Sequence, residues 1–191
     1  MTNPGFVWEE DRVPAVWADC NRCELAAQRR RVIWGEGNPK APLMIILDNP
    51  GARENRQGSP FICGTRETLK AAILESGLKI DQIYLTYLLK CRPIRKYNHE
   101  LARAACFAFL EEQINALRPL LIVCMGNVAL GKLFNPESEV KAIRGKMLEF
   151  KGIPVLATYH PLAARRRPNL FKFLAADLSA AAGYLNRLNP A

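Results

Sequence analysis

Apolar positions along this chain come in two kinds of run. Residues 43–47, 82–89, 120–124 and 153–158 are short, mostly apolar stretches bounded by turn residues, the pattern of strands covered on both faces. Between them the apolar positions recur with a helical period. Residues 65–76 read as a helix with Thr65 as a candidate N-cap and Gly77 as its stop, and Asn98 is a suitable N-cap for a long amphipathic helix running to Leu117, ahead of Pro119. Gly126-Asn127 opens a short helix to Phe134, and residues 169–188 supply the last helix. Residues 14–31 have helical character, which would place Cys20 and Cys23 on one face, and a Gly- and Lys-containing connection spans 140–150. Strands alternating with helices predict an α/β fold: a three-layer αβα sandwich around a central, mainly parallel four-stranded sheet, built as a single domain over residues 1–191. Functional loops then belong at the C-terminal ends of the strands.

Composition narrows the class. With 49% apolar and 24% charged residues in 191, the chain can build a substantial core. Lys and Arg number 27 against 18 Asp and Glu, a net charge of +9, and much of the excess is clustered at Arg29-Arg30-Arg31, at Arg92, Arg95 and Lys96, and at Arg165-Arg166-Arg167. Such clusters favour a polyanion as partner; solvated faces are the other reading of the same triplets. The first residues show no apolar signal segment, and no apolar run is long enough to cross a bilayer. The expectation is a cytoplasmic monomer with no membrane partner, in which six cysteines serve as metal ligands or core thiols rather than as a disulfide framework.

Residue types suited to chemistry gather where the predicted strands end: Asp48-Asn49-Pro50-Gly51 after the first, Cys91-Arg92-Pro93 after the second, Gly126-Asn127 after the third and His160-Pro161 after the fourth. His160 is one of two histidines, and it puts a titratable donor beside a basic triplet. A lone histidine more often just hydrogen-bonds its loop, so its neighbours carry the argument.

Cys20-x-x-Cys23, the Pro50-Gly51 turn, the run from Arg56 through Phe61 to Gly64, Lys90-Cys91-Arg92-Pro93, Cys106 and Thr158-Tyr159-His160-Pro161 resemble, in that order and spacing, the uracil-DNA glycosylase superfamily. The likeness is greatest to its family-4 branch of iron-sulfur enzymes and covers nearly the whole chain. By that resemblance Cys20, Cys23, Cys91 and Cys106 hold a [4Fe-4S] cluster; the residues alone support only a four-thiolate metal site, with zinc as rival. Cys63 and Cys124, in apolar context, read as core thiols. The resemblance further implies that Phe61 stacks on a flipped base, that His160 stabilises the departing base through its O2, and that Leu162 is a wedge in a loop where Arg165, Arg166 and Arg167 meet the duplex.

Two departures fall at the centre of the site. The family-4 turn reads Gly-Glu-Ala-Pro-Gly, whereas this chain has Leu47-Asp48-Asn49-Pro50-Gly51. Asn49 resembles the water-positioning residue of the mismatch-type branch, with Asp48 either a second water contact or a turn carboxylate. Gly51 has no side chain where another branch uses Tyr to exclude a C5 substituent. Tyr87 stands where the family has the asparagine that reads uracil, and one phenolic hydroxyl cannot reproduce the acceptor and donor of an amide. The implied activity is a DNA glycosylase of altered specificity, acting on a modified pyrimidine such as a modified cytosine of foreign DNA. An ordinary uracil-DNA glycosylase of base-excision repair and a non-catalytic DNA-binding iron-sulfur protein are the alternatives.

Overall fold

The computed structural model describes residues 8–52, 54–56 and 64–188. The four apolar runs become strands β2 (Leu43–Leu47), β3 (Ile83–Tyr87), β4 (Leu121–Met125) and β6 (Ile153–Thr158), and they pair in parallel in the order β3-β2-β4-β6. The sheet has six strands rather than the expected four, because an antiparallel strand closes each edge: β1 (Gly35–Gly37) against β3, and β5 (Met147–Phe150) against β6. A Gly-Glu-Gly strand carries no apolar signal. β5 alternates exposed with half-buried residues, as an edge strand does, and joins β6 through Lys151 and Gly152, both at positive φ as a tight hairpin requires. Residues 140–150 are therefore a helical turn, α5 (Val140–Ile143), followed by a strand.

Successive strand residues point to opposite faces, and each face has its own core. Ile45, Leu85 and Val123 pack with Leu69 and Ile73 of α2 (Gly64–Ser76) and with Leu174 and Leu178 of α7 (Phe171–Leu188). Ile46, Tyr84 and Ile122 pack on the other side, against Leu110 and Ile114 of α3 (His99–Leu117) and Leu130 of α4 (Asn127–Leu133). The αβα layering follows from this division. Asn98 caps α3 as expected, its side chain accepting from the Leu101 N–H at 3.0 Å. Thr65 does not cap α2, which already includes Gly64.

The expected helix over 14–31 is broken into α1 (Ala15–Ala18) and a 3-10 turn, Glu24–Ala27. Trp17 and Leu25 dock separately into a third cluster with Trp34 and Phe109, so no continuous helical stripe forms, and Cys20 and Cys23 sit in the connection between the two pieces. The segment after β6, expected as a loop, contains helix α6 (Pro161–Arg166), with proline at its first position, where the missing N–H costs nothing. Among the described residues no helix is long and apolar enough to cross a membrane.

Candidate active site

The C-terminal ends of β2, β3 and β6 meet the first turns of α2 and α6 around a cavity of about 340 Å³, lined by Asp48, Asn49, Gly51, Tyr87, His160 and Leu162 among others. Parallel strands place their C-terminal ends on one rim, which is why residues from positions 48 to 162 share one pocket.

His160 is the N-cap of α6, and its Nδ1 accepts from the Leu162 backbone N–H at 3.1 Å. A neutral imidazole that accepts at Nδ1 carries its proton on Nε2. Burial, reinforced by the positive charge of Arg66, holds its pKa down to about 4, so at neutral pH His160 is an uncharged donor. Asp48 follows β2 and accepts from the Ala129 N–H at 3.2 Å, in the first turn of α4. Burial raises its pKa to about 6 against the opposing pull of that N–H and of Arg103. Gly126 lets the two groups approach. It adopts φ +96°, and a Cβ there would lie 3.1 Å from the His160 Cβ and 3.5 Å from Asp48 Oδ1. The Asn49 Nδ2 donates to the Pro50 carbonyl at 2.9 Å, leaving Oδ1 as the amide's acceptor.

Tyr87 lines the cavity, but its hydroxyl is engaged. It accepts from Arg66 and donates to Glu36 at 3.3 Å, while Arg66 also bonds Glu36 and donates to Glu54 at 3.2 Å. Arg66, Glu36 and Glu54 are 2–4% exposed, a buried charged cluster of which Arg66 and Glu54 line the pocket. Burial raises the Glu36 carboxyl above the usual range, and Arg66 opposes the shift. The sequence reading missed this cluster. Its only signal was the spacing of Arg66 with Leu69, Ile73 and Ser76, all on the buried face of α2. The space expected beside Gly51 is occupied: a Cβ there would meet Glu54 Oε2 at 2.6 Å. That oxygen has no hydrogen-bond partner among the described residues.

The basic triplet divides. Arg166 lines the cavity with Leu162, Arg165 lies against Gly64, its guanidinium where a Cβ there would point, and Arg167 is the exposed C-cap of α6. Phe61 and Cys63 lie outside the described residues.

Cys20, Cys23, Cys91 and Cys106 line one cavity, away from the active-site pocket, together with Lys90 and Phe109. All four are free thiols, as is the buried Cys124. Burial pushes Cys91 up to about 12, and Cys106, Cys23 and Cys20 each add to that rise, so the four sulfurs share one electrostatic neighbourhood. Among the described residues no three His, Cys, Asp or Glu side chains form a ready site for a single metal ion. Four thiols, with no carboxylate or imidazole lining the cavity, are a donor set suited to thiophilic metals.

This is a doubly wound α/β protein with a strand-end pocket that sets a neutral histidine donor beside a carboxylate. The family model of the uracil-DNA glycosylase superfamily matches residues 34–180, and the chain belongs to that superfamily. It is 35% identical over 168 residues to the type-4 uracil-DNA glycosylase of Sulfurisphaera tokodaii, covering 83% of this chain and 76% of that protein. Identity to the type-4 enzyme of Archaeoglobus fulgidus is 32%, over 79% of this chain and 80% of that protein. For the type-4 enzyme of Thermotoga maritima it is 28%, over 88% and 90%.

Proposed function

We propose that the protein is a DNA glycosylase that takes a flipped pyrimidine into this pocket and hydrolyses its N-glycosidic bond. The observation that carries the reading is His160, held by the Leu162 N–H in the tautomer that presents Nε2–H within a cavity shared with Asp48 and Asn49. As the bond breaks, negative charge develops on the base and positive charge on the sugar. A preorganised neutral donor stabilises the first without repelling the second. The ionised Asp48 and the Asn49 Oδ1 are acceptors able to orient a water toward the sugar carbon. Phe61 would provide the stacking face, and Leu162 with Arg165, Arg166 and Arg167 the surface against the duplex.

For the base, the reading is a modified cytosine. Glu54 lines the pocket and its buried Oε2 has no hydrogen-bond partner among the described residues, and a carboxylate accepts from an exocyclic amino group. The relatives' names favour uracil as the second reading. Alkali-induced strand cleavage of oligonucleotides carrying uracil, hypoxanthine, thymine mismatches, cytosine or modified cytosines decides between them. Release of a modified cytosine above uracil supports the first reading, uracil alone supports the second, and no release from any of them defeats the glycosylase.

Asp48 gives the reaction a pH signature. Its carboxylate is the form that accepts from water, and it forms as pH rises through about 6, whereas His160 is already neutral above about 4. Single-turnover rates should therefore rise about tenfold per pH unit below pH 6 and level off above it, and Asp48→Asn should remove that limb along with most of the rate. If Asp48 only caps α4, the native profile will be flat from pH 5 to 8.

Cys20, Cys23, Cys91 and Cys106 would hold a [4Fe-4S] cluster, and through it the Cys20–Cys23 connection and the segment after β3 would be joined to α3. Anaerobically purified protein should contain about four irons and four labile sulfides per chain, and Cys106→Ala should lose both and become less soluble. Equimolar zinc without sulfide would overturn the cluster.

A further inference from the structure

We infer that Asp177, acting through Thr158, is a positioning residue for His160. Thr158 is the last residue of β6 and is fully buried, and its Oγ1 donates to Asp177 Oδ2 at 2.7 Å. Asp177 is 5% exposed on α7 and is itself fixed by Arg144, whose Nε and Nη2 donate to its two oxygens at 3.1 and 2.7 Å. Arg144 also reaches the Phe173 carbonyl at 3.4 Å and stacks over that ring at 4.5 Å. The main chain of Thr158 is held from the other side, its carbonyl accepting from Gly126 N–H at 2.9 Å.

The two ends of this clamp enclose the excursion that matters. His160, Leu162, Arg165, Arg166 and Arg167 all lie between Thr158 and Asp177, which are 19 residues apart. An excursion whose ends are joined by a buried, charge-assisted hydrogen bond keeps a fixed origin, and His160 stands only two residues beyond that origin. An error of about 1 Å at the reacting atoms can cost about a hundredfold in rate. Asp177 is not among the residues that line the cavity, and its hydrogen bond to Thr158 is its direct link to the strand that leads into His160.

The rate test rests on the glycosylase reading; a spectroscopic test does not. In the full-length protein, Thr158→Val keeps the shape and removes the donor. It should slow single-turnover base release by about tenfold to a hundredfold, leave DNA affinity within about twofold, and be rescued by Thr158→Ser. In a His160→Ala background the same change should cost nothing further. Equal losses in both backgrounds would make the clamp merely structural, and an unchanged rate would overturn it. If the native protein releases no base at all, the glycosylase reading fails while the clamp is still decided by the His160 ring nitrogens, identified by their loss in His160→Ala since the chain has only two histidines. Thr158→Val and Asp177→Asn should each shift or broaden the Nδ1 signal as its bond to Leu162 loosens. An unaltered Nδ1 in both would overturn the clamp.

Discussion

Replacing His160 with alanine is expected to slow single-turnover base release by on the order of a hundredfold or more, the scale for removing one preorganised donor from a transition state that gathers negative charge. DNA affinity should stay near native, because the arginines are untouched. The same side chain also caps α6 through Nδ1, so alanine should lower stability by about 1 kcal/mol, the usual cost of a lost N-cap acceptor. These two roles separate by substitution. His160→Asn keeps a short polar cap but cannot place an N–H where Nε2 stands, so it should recover the melting temperature without the rate. Recovery of the rate by Asn would show that His160 serves the helix rather than the base. Its depressed pKa makes a further check on sign: unfolded chains bind a proton that the native protein refuses between about pH 4 and 6.5, so this group's contribution to stability is present above pH 6.5 and lost as pH falls toward 4.

The central strands were legible because both of their faces are covered, which turns them into uninterrupted apolar runs such as Leu43–Leu47. The edges were not. Gly35–Gly37 is a strand only because β3 offers it partners, and Met147–Phe150 resembles any exposed connection until it folds back on β6. The site was legible to the extent that topology makes it: Asp48, Asn49 and His160 follow strand ends and converge for that reason. Arg66 was hidden by a default, since arginine on an amphipathic helix usually faces water. Here the turn after β2 brings Glu54, and β1 brings Glu36, to meet it across gaps of 12 and 30 residues. The basic triplet shows the opposite limit, for three adjacent arginines entered three different environments, which charge counting cannot separate.

The largest loss of stability should come from that hidden residue. Arg66→Met retains much of the apolar stem but leaves two carboxylates, Glu36 at 3% and Glu54 at 4% exposure, without the cation that both of them bond. Removing one partner from a buried ion pair typically costs about 3–5 kcal/mol, which in a chain of this size corresponds to a fall of roughly 6–20 °C in melting temperature. The deficit should depend on pH in a definite direction. Without Arg66, burial holds the Glu36 carboxyl further above its unfolded pKa, so the folded variant binds its proton more tightly than the unfolded chain and loses stability as pH rises. Melts at pH 5 should therefore lie closer to native than melts at pH 7.5, and adding Glu36→Gln to the variant should restore part of the difference. A pH-independent deficit, or a double variant no more stable than the single one, would mean that the arginine's contribution is packing rather than charge. Since the Tyr87 hydroxyl belongs to the same cluster, Tyr87→Asn disturbs Arg66 and Glu36 together, and any change it makes in base preference has to be read against its own melting curve.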